Sequence, residues 1–267
     1  MWFYARNELV LNALKFVDRR QFLSSRYRNL GYEDSVVQLI DGCSLSEPSL
    51  VAEMIDELRL KGSEKVLEIG TGTGYEAAVL SLCASKVYSI DSNERLVRGA
   101  RKRLGSLGYG NIEVIKGDGC LGLPQEAPFD AIIVSAAARE IPQSLEDQLA
   151  IWGRIVIPVG PDPQSAKLLV GIKYPEGLLT LPSKIVSFHP LISEHQGGWT
   201  PQMLDELLGK KVAYVSQLID EHSKSLGKSR EVLLEGYAQD LKIDPYNEEE
   251  TLKALAERIN LPESELE

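Results

Sequence analysis

The sequence predicts an α/β fold with a mostly parallel sheet and helices on both of its faces. Five short apolar runs predict strands, at 66–69, 87–90, 112–115, 131–134 and 154–159. Helical patterns lie between them, at 75–84, 93–107 and 143–149. Alternation of this kind is typical of βαβ units. The fourth run is apolar throughout, which favours a strand buried on both faces.

The segment before the first run predicts two helices. Residues 8–30 carry a helical apolar pattern, and residues 31–48 are mainly polar. A second helix is predicted over 48–60, where Pro48 suits a first helical turn. Ser46 or Glu47 could cap it.

The segment after the fifth run changes character twice. Residues 168–172 and 184–188 predict a hairpin at the edge of the sheet, with a turn at 175–177. From Thr200 onward the pattern is only helical and predicts helices at 201–222, 229–240 and 248–259. Thr200 with Pro201 predicts the start of the first helix, and Asn247 with Glu250 predicts a capping box.

Composition limits the class of protein. Of 267 residues, 43% are hydrophobic and 25% are charged, an ordinary globular mixture. No apolar run reaches the ~20 residues that span a bilayer, and the first ten residues do not resemble a signal peptide. Three widely spaced cysteines favour reduced thiols in a cytoplasm over disulfides. The three histidines lack paired spacing, so we expect no metal site.

Charge argues against a nucleic-acid partner. The net charge is −10, whereas nucleic-acid binders normally present a basic surface. Residues 200–267 hold 15 acidic and 8 basic side chains, a net charge of −7, which leaves −3 for the first 199 residues. We therefore expect a nearly balanced body, an acidic tail and no nucleic-acid or membrane partner.

The stretch VLEIGTGTGY, residues 66–75, reads as a strand, a glycine loop and the start of a helix. Gly70, Gly72 and Gly74 let the backbone turn sharply and approach a ligand closely. Asp91 ends the second run, 21 residues after Gly70, where a carboxylate can bind both hydroxyls of a ribose. The glycine loop and Asp91 alone fit a dinucleotide site, an S-adenosylmethionine site or a tight turn that binds no ligand.

The spacing of the glycines favours S-adenosylmethionine. A dinucleotide fingerprint is GxGxxG, but here GxGxG is followed by Tyr75. A Gly-Asp-Gly turn follows the third run, and Asp118 can accept the adenine amino group or simply form the turn. The predicted cofactor-binding residues are Glu68, Gly70, Thr71, Gly72, Gly74, Asp91, Ser92, Gly117, Asp118 and Gly119.

Several longer stretches resemble one family. They are VLEIGTGTGYEAAVLS (66–81), GDGCLGLPQEAPFDAIIVSAAAREIP (117–142), GRIVIPVG (153–160) and SFHPLI (187–192). Over about residues 8–198 the chain resembles the protein-L-isoaspartate O-methyltransferases, which are class I S-adenosylmethionine-dependent carboxyl methyltransferases. The resemblance implies a Rossmann-like class I methyltransferase fold. It divides the chain into an amino-terminal helical and acceptor segment (1–60), a cofactor-binding core (61–198) and a helical carboxy-terminal extension (199–267).

The resemblance also implies an acceptor site. The family has a segment Gly-Gln-Thr-Ile-Ser-x-Pro, whose serine lies beside the carboxylate to be methylated. Ser46 matches that serine, with Ser44 and Leu45 in place of the threonine and isoleucine. Simple capping of the next helix is the alternative role of Ser46. The resemblance and the small side chains after the fourth run imply an acceptor-binding set of Ser44, Leu45, Ser49, Ser135 and Ala136, although tight packing explains the small residues equally well.

The acceptor half departs from the family pattern. The family usually has Asp-x-Pro-Leu-Pro-Ile where this chain has DSVVQL, residues 34–39. Cys43 replaces a glutamine, Ser49 a frequent histidine, and Trp152 one glycine of Gly-Gly-Arg. These changes affect the predicted identity of the substrate more than the predicted reaction, which is carboxyl methylation.

A carboxylate acceptor suits the residues present. A carboxyl group is ionised at neutral pH, so methyl transfer to it requires no general base. A hydroxyl such as that of Ser46 can orient one carboxylate oxygen while the other attacks. The Asn/Asp-Pro-Pro-Tyr motif that methyltransferases of base amino groups share does not follow the fourth run.

Three functions therefore remain open from the sequence. The leading one is repair, by methylation of isoaspartyl residues in damaged proteins. The second is methylation of an Asp side chain in a dedicated peptide or protein partner, and the third is a cofactor-binding protein without catalysis. The carboxy-terminal helices could pack on the body, form a subunit interface or contact a protein partner.

Overall fold

The computed structural model describes residues 5–39, 43–244 and 247–261. The chain forms two compact units, Met1–Gly198 and Trp199–Glu267. Two clusters of buried apolar side chains form the core of the first unit, and the second unit has a cluster of its own. Each unit thus contains the apolar burial that stabilises a fold.

The first unit contains a seven-stranded sheet and a separate two-stranded ribbon, which is formed by strands near the start of the chain. The ribbon strands are β1 (Val37–Gln38) and β2 (Ser44–Leu45). The sheet strands are β3 (Lys65–Ile69), β4 (Lys86–Asp91), β5 (Ile112–Lys116), β6 (Phe129–Val134), β7 (Leu149–Val159), β8 (Ala166–Tyr174) and β9 (Gly177–Val186). Their order across the sheet is β5-β4-β3-β6-β7-β8-β9.

The first five strands of this order are parallel, and β8 and β9 add an antiparallel hairpin at one edge. The predicted α/β class is confirmed. The second hairpin strand begins at Gly177, seven residues earlier than predicted, because the chain reverses directly after Tyr174 and pairs at once. Gly177 has φ of +136°, a conformation that favours glycine at such a turn.

Eight helices occur in the described part of the chain. They are α1 (Glu8–Phe16), α2 (Pro48–Glu57), α3 (Tyr75–Ser81), α4 (Glu94–Ser106), α5 (Gln143–Gln148), α6 (Pro201–Leu226), α7 (Arg230–Leu241) and α8 (Glu248–Ala256).

Both faces of the central strand β6 are buried, as its apolar run predicted. In β6, Ala131 and Ile133 belong to one apolar cluster, while Ile132 and Val134 belong to the other. Successive side chains of a strand point to opposite faces, so a strand without polar alternation is apolar on both.

The single long helix predicted over 8–30 is wrong. Helix α1 ends at Phe16, and two 3-10 segments follow, at Arg19–Phe22 and Ser25–Tyr32. The Asp18 carboxylate accepts a hydrogen bond from the Arg20 backbone N–H, which starts a new turn. Such local side-chain bonds compete with continuation of a helix.

The second unit consists of helices α6, α7 and α8. The Thr200 hydroxyl accepts from the Met203 N–H at 3.2 Å, and the Asn247 side chain accepts from the Glu250 N–H at 3.1 Å. Both are the predicted caps. The buried cluster of this unit is Val215, Ile219, Leu234, Leu252 and Ala256.

Trp152 lies in β7 with a backbone conformation that favours glycine. Its φ is +70°, and its side chain is exposed. The ring packs edge-on against Tyr174, with ring centroids 5.0 Å apart. The residue that replaces a glycine of the family pattern therefore keeps a glycine-like backbone, a strain of about 1 kcal/mol or more.

Two further properties of the described residues bear on the site. None of their helices combines the length and apolar character needed to cross a bilayer. They contain no group of three or more His, Cys, Asp or Glu side chains arranged to hold a metal ion.

Candidate active site

A cavity of about 360 Å³ opens at the carboxyl ends of β3, β4 and β6. Open parallel sheets bind ligands at this edge, and the volume is in the range of small-molecule sites. Its walls come from residues 43–46, the glycine loop with the start of α3, residues 90–93, residues 135–136 and residues 188–192. Of the residues predicted from the sequence, the cavity is lined by Ser44, Leu45, Ser46, Gly70, Thr71, Gly72, Asp91, Ser92, Gly119, Ser135 and Ala136.

The glycine loop keeps its backbone next to this space. Gly70 has φ of +100°, and its N–H donates to the Ile90 carbonyl at 2.8 Å. A methyl group on Gly70 would lie 3.2 Å from the Ser135 carbonyl oxygen. The loop therefore requires glycine both for its backbone angles and for its closeness to the end of β6.

Asp91 ties the end of β4 to this loop. One carboxylate oxygen accepts from the Gly72 N–H at 2.9 Å, and the other accepts from the Asn93 N–H at 2.9 Å. An ionised carboxylate offers about four lone-pair positions, so each oxygen can accept a further hydrogen bond from a ligand.

Gly74 does not line the cavity. It has φ of +87° at the start of α3, and a side chain there would lie 3.1 Å from the Leu104 methyl group. Its role in the structure is to let α3 pack against α4. The prediction that it contacts a cofactor has no support from its position.

The predicted Gly-Asp-Gly turn is divided between two places. Gly119 lines the main cavity, whereas Gly117 and Asp118 line an adjoining depression that shares Ile90 with it. The Asp118 carboxylate accepts from the Cys120 N–H at 2.9 Å and from the Ser193 hydroxyl at 2.7 Å.

The segment around Ser46 forms the opposite wall. Ribbon strand β2 pairs with β1, which places Ser44 opposite Gln38. The altered segment 34–39 therefore supports the acceptor segment directly. Asp41 and Gly42 of the connecting loop lie outside the described residues.

Ser46 itself is half-buried in the cavity wall and does not cap α2. The N-cap position is Glu47, and no side chain of that position bonds the helix. The Asp34 carboxylate instead accepts from the Ser49 N–H at 3.0 Å. Capping by Ser46 is therefore wrong, and Ser49 is not among the cavity-lining residues.

Ser135 and Ala136 follow β6 and line the cavity next to the glycine loop. The Ser135 hydroxyl donates to one Glu76 carboxylate oxygen at 2.6 Å. Ser135 is therefore held by a neighbour of the glycine loop, a contact that the pattern of small residues could not indicate.

Glu76 is the main residue that the sequence reasoning missed. It lines the cavity, is 8% exposed, and lies on the apolar helix α3. Burial raises its pKa to about 7, although the Ser135 hydrogen bond favours the charged form. The only signal in the sequence is an acid in an otherwise apolar helix, which usually indicates an exposed position.

Glu68 is fully buried behind this wall and does not line the cavity. Burial, followed by the nearby Glu76 carboxylate, raises its pKa well above the usual value. The Ser89 hydroxyl opposes this shift. Two acids next to each other resist simultaneous ionisation.

The chain was compared with known proteins. The family model for protein-L-isoaspartate(D-aspartate) O-methyltransferase matches residues 3–196. The chain belongs to this family. Among its curated relatives, protein-L-isoaspartate O-methyltransferase 2 of Pelobacter propionicus is 50% identical over 155 residues, which are 58% of this chain and 69% of the relative. The enzyme of Gloeobacter violaceus is 41% identical over 187 residues, or 70% of this chain and 91% of the relative.

Solved structures of the family share the fold. A protein-L-isoaspartate O-methyltransferase has a TM-score of 0.66 at 26% identity, covering 77% of this chain and 65% of that one. A protein from Plasmodium falciparum, solved in complex with S-adenosyl-L-homocysteine, has a TM-score of 0.62 at 22% identity, covering 71% of this chain and 92% of that one. The match to the family model ends at residue 196, before the second unit begins at Trp199.

S-adenosylmethionine is the cofactor of this family, and the cavity fits it. The glycine loop leaves room where side chains would intrude, and Asp91 keeps acceptor capacity for ribose hydroxyls. Glu76 and Asp91 give the lining an acidic character, and the described lining residues include no lysine or arginine. A cationic ligand suits such a site.

Proposed function

We propose that this protein is an S-adenosylmethionine-dependent carboxyl O-methyltransferase that methylates L-isoaspartyl residues of damaged proteins. One observation supports the proposal most: the glycine loop and the Ser44–Leu45–Ser46 segment line the same cavity. A donor site and an acceptor segment in one cavity are what direct methyl transfer requires.

The glycine-loop half of the cavity would hold the donor. We propose that Gly70, Thr71 and Gly72 provide the backbone wall and that Asp91, with Ser92, binds the ribose hydroxyls. Gly119 keeps the floor low, because a side chain there would enter the space occupied by Ile69 and Leu191. We further propose that Asp118, in the adjoining depression, accepts the adenine amino group.

The Ser46 half of the cavity would hold the acceptor. When bound, S-adenosylmethionine supplies a methyl group made electrophilic by its sulfonium. We propose that the Ser46 hydroxyl donates to one oxygen of the isoaspartyl α-carboxylate, which leaves the other oxygen aligned for attack. That carboxylate is ionised at neutral pH, so this chain needs no general base.

Repair follows from the product's own chemistry. In the methyl ester of an isoaspartyl residue the backbone amide nitrogen attacks the ester carbonyl and displaces methanol, and water then opens the resulting succinimide partly to normal aspartate. The enzyme therefore needs to provide only selection and methyl transfer. Alignment of the two reactants can contribute on the order of 7 kcal/mol.

The test is transfer of a tritiated methyl group to a pair of peptides that differ only in an isoaspartyl or aspartyl residue. We expect label on the isoaspartyl peptide alone. Equal labelling of both peptides, or labelling of a protein partner but neither peptide, would favour methylation of an Asp side chain. Binding of S-adenosylmethionine without transfer would favour a catalytically silent protein.

The second unit contributes a separate proposal. Leu218, Leu226 and Val232 are exposed on α6 and α7. We propose that these helices contact a second copy of the chain or a protein partner. Sedimentation of the full chain and of residues 1–198 tests this, because loss of a larger species on truncation is expected.

The location that we propose is the cytoplasm. Its support is that Cys83 and Cys120 are buried thiols and form no disulfide, as expected in a reducing compartment. Fractionation of cells that produce the full chain, followed by immunodetection, tests this proposal. Recovery from a membrane or secreted fraction would contradict it.

A further inference from the structure

The Glu76 carboxylate has an unused acceptor in the wall of the cofactor cavity. One oxygen accepts from the Ser135 hydroxyl at 2.6 Å. The other oxygen is buried and makes no hydrogen bond within the described part of the chain. A buried acceptor without a donor is unfavourable by about 1–3 kcal/mol, so this arrangement calls for a ligand that donates.

Among the described residues that line the cavity, no lysine or arginine provides a counter-charge for Glu76. Glu68 on β3 is a carboxyl group buried behind it with a raised pKa, and Asp91 at the end of β4 is a further carboxyl group in the cavity lining. Tyr75 precedes it on α3 with its pKa raised to about 12, and Ser135 at the end of β6 is neutral. The positive charge that matches this acidic wall must therefore come from the ligand.

Further along the cavity lie an imidazole and a thiol. Burial lowers the pKa of His189, so this imidazole is neutral at physiological pH. Cys43 lines the cavity from the acceptor segment. Neither group adds a permanent positive charge beside Glu76.

The proposed donor carries two positive groups, the sulfonium and the α-ammonium of its methionine portion. A carboxylate in contact with the sulfonium would compete with the acceptor for the methyl group, because carboxylates are nucleophiles. The ammonium carries no transferable methyl group, and it has three N–H donors for unpaired acceptors. The ammonium is therefore the cation that a permanent protein carboxylate can safely bind.

We propose that Glu76 binds the α-ammonium of the methionine portion of the donor and that this contact couples donor binding to loss of a proton from Glu76. The proposal rests on the function proposed above. It identifies a positioning residue that the glycine-loop pattern does not predict.

The direction of the pH effect follows from linkage. In the free protein Glu76 is protonated below a pKa of about 7. Binding of a cation favours its ionised form, so below that value binding releases a proton. Affinity then falls by up to about tenfold for each pH unit below about 7 and levels off above it. Burial, which disfavours the charged form, keeps Glu76 protonated in the free state below that value.

Calorimetry at about pH 6 in two buffers of different ionisation heat measures the released proton directly. We expect S-adenosylmethionine and S-adenosylhomocysteine each to release close to one proton from the wild-type protein, since both carry the ammonium. Methylthioadenosine, which lacks the amino-acid portion, is expected to release none. In Glu76→Gln the release for both ammonium ligands is expected to vanish, and their affinity at about pH 8 to fall roughly tenfold.

Ser135→Ala provides a second variant that keeps the carboxylate. It removes the hydrogen bond that favours the charged form, so the midpoint of proton release should move to higher pH. Unchanged release in Glu76→Gln, or equal release with methylthioadenosine, overturns the proposal. Release with S-adenosylmethionine alone also overturns it, because the sulfonium would then be the cation. If neither the wild-type protein nor the two variants bind S-adenosylmethionine or S-adenosylhomocysteine, the proposed function itself is wrong.

Discussion

The buried guanidinium of Arg19 donates a hydrogen bond to the backbone carbonyl of Ser46 at 3.1 Å. The same nitrogen donates to the Ser35 carbonyl at 3.0 Å, and the other terminal nitrogen donates to the carbonyls of Leu30 and Glu33. Arg19 is 4% exposed, and burial lowers its pKa. One side chain thus holds Ser46, the serine proposed to bind the acceptor, in register with the altered segment before it.

Replacement of Arg19 by Met is expected to lower the free energy of unfolding by roughly 3 kcal/mol, because several carbonyls lose their donor. KM for an isoaspartyl peptide should rise more than the Kd of S-adenosylhomocysteine, since Arg19 bonds the acceptor segment. Urea unfolding and steady-state kinetics measure these effects, and Arg19→Lys should lie between Met and wild type.

Arg20→Met is the matched control. The Arg20 side chain is 45% exposed and pairs with Asp18 at the surface, so a change below about 1 kcal/mol is expected. Equal losses of stability in the two variants would contradict a special role for Arg19.

Ser46→Ala is expected to lower turnover of the isoaspartyl peptide by roughly 10- to 100-fold, the value of a hydrogen bond to a charged group. Binding of S-adenosylhomocysteine should stay within about twofold of wild type, because we propose that the hydroxyl contacts the acceptor and not the donor. Ser106→Ala, at the exposed end of α4, controls for loss of a serine hydroxyl. Unchanged turnover in Ser46→Ala would refute the assignment.

The parts of the fold that could be predicted are those whose physical constraints act within a short stretch of sequence. The strands of the parallel sheet were found because burial on both faces produces apolar runs such as that around Ile132 and Ile133. The glycine loop was found because Gly70 and Gly72 need their positive φ angles. These constraints act within a few residues and leave a mark in the sequence.

The contacts that escaped prediction are between distant segments. Arg19 resembles its exposed neighbour Arg20 in the sequence, yet it bonds carbonyls up to 27 residues away. Glu76 meets Ser135 across 59 residues, and nothing in the helical pattern of α3 marks that pairing. Local propensity also failed at 17–24, where the Asp18 side chain ended a helical pattern that looked continuous.

Asp91→Asn is expected to weaken binding of S-adenosylhomocysteine by about tenfold or more, because an amide cannot accept from both Gly72 and Asn93 and still receive two ribose hydroxyls. A loss of about 1–2 kcal/mol in unfolding free energy should accompany it. Titration calorimetry and urea unfolding measure the two effects.

Asp130→Asn separates these effects. Its carboxylate accepts from the Lys65 N–H at 2.8 Å, at the opposite end of β3 and outside the cavity lining. Unchanged affinity is expected there, with a loss of stability below about 1 kcal/mol, because an amide oxygen can still accept this single bond. If both variants weaken binding equally, the effect of Asp91 is a general loss of stability.

Gly119→Ala tests the floor of the cavity. The added methyl group would collide with Ile69 and lie 2.9 Å from a Leu191 methyl group, and both neighbours are buried. Overpacking of this kind lowers the free energy of unfolding by about 1–3 kcal/mol, and the displaced side chains should also weaken binding of S-adenosylhomocysteine.

Gly99→Ala is the matched control, because Gly99 lies within α4 with nothing within 4 Å of the added methyl group. Helix propensity predicts a gain of about 0.5–1 kcal/mol for that variant. Opposite signs in thermal unfolding of the two variants, with weaker binding only in Gly119→Ala, are the expected result. A neutral Gly119→Ala would show that Ile69 and Leu191 can move aside, and the requirement for glycine at this position would be wrong.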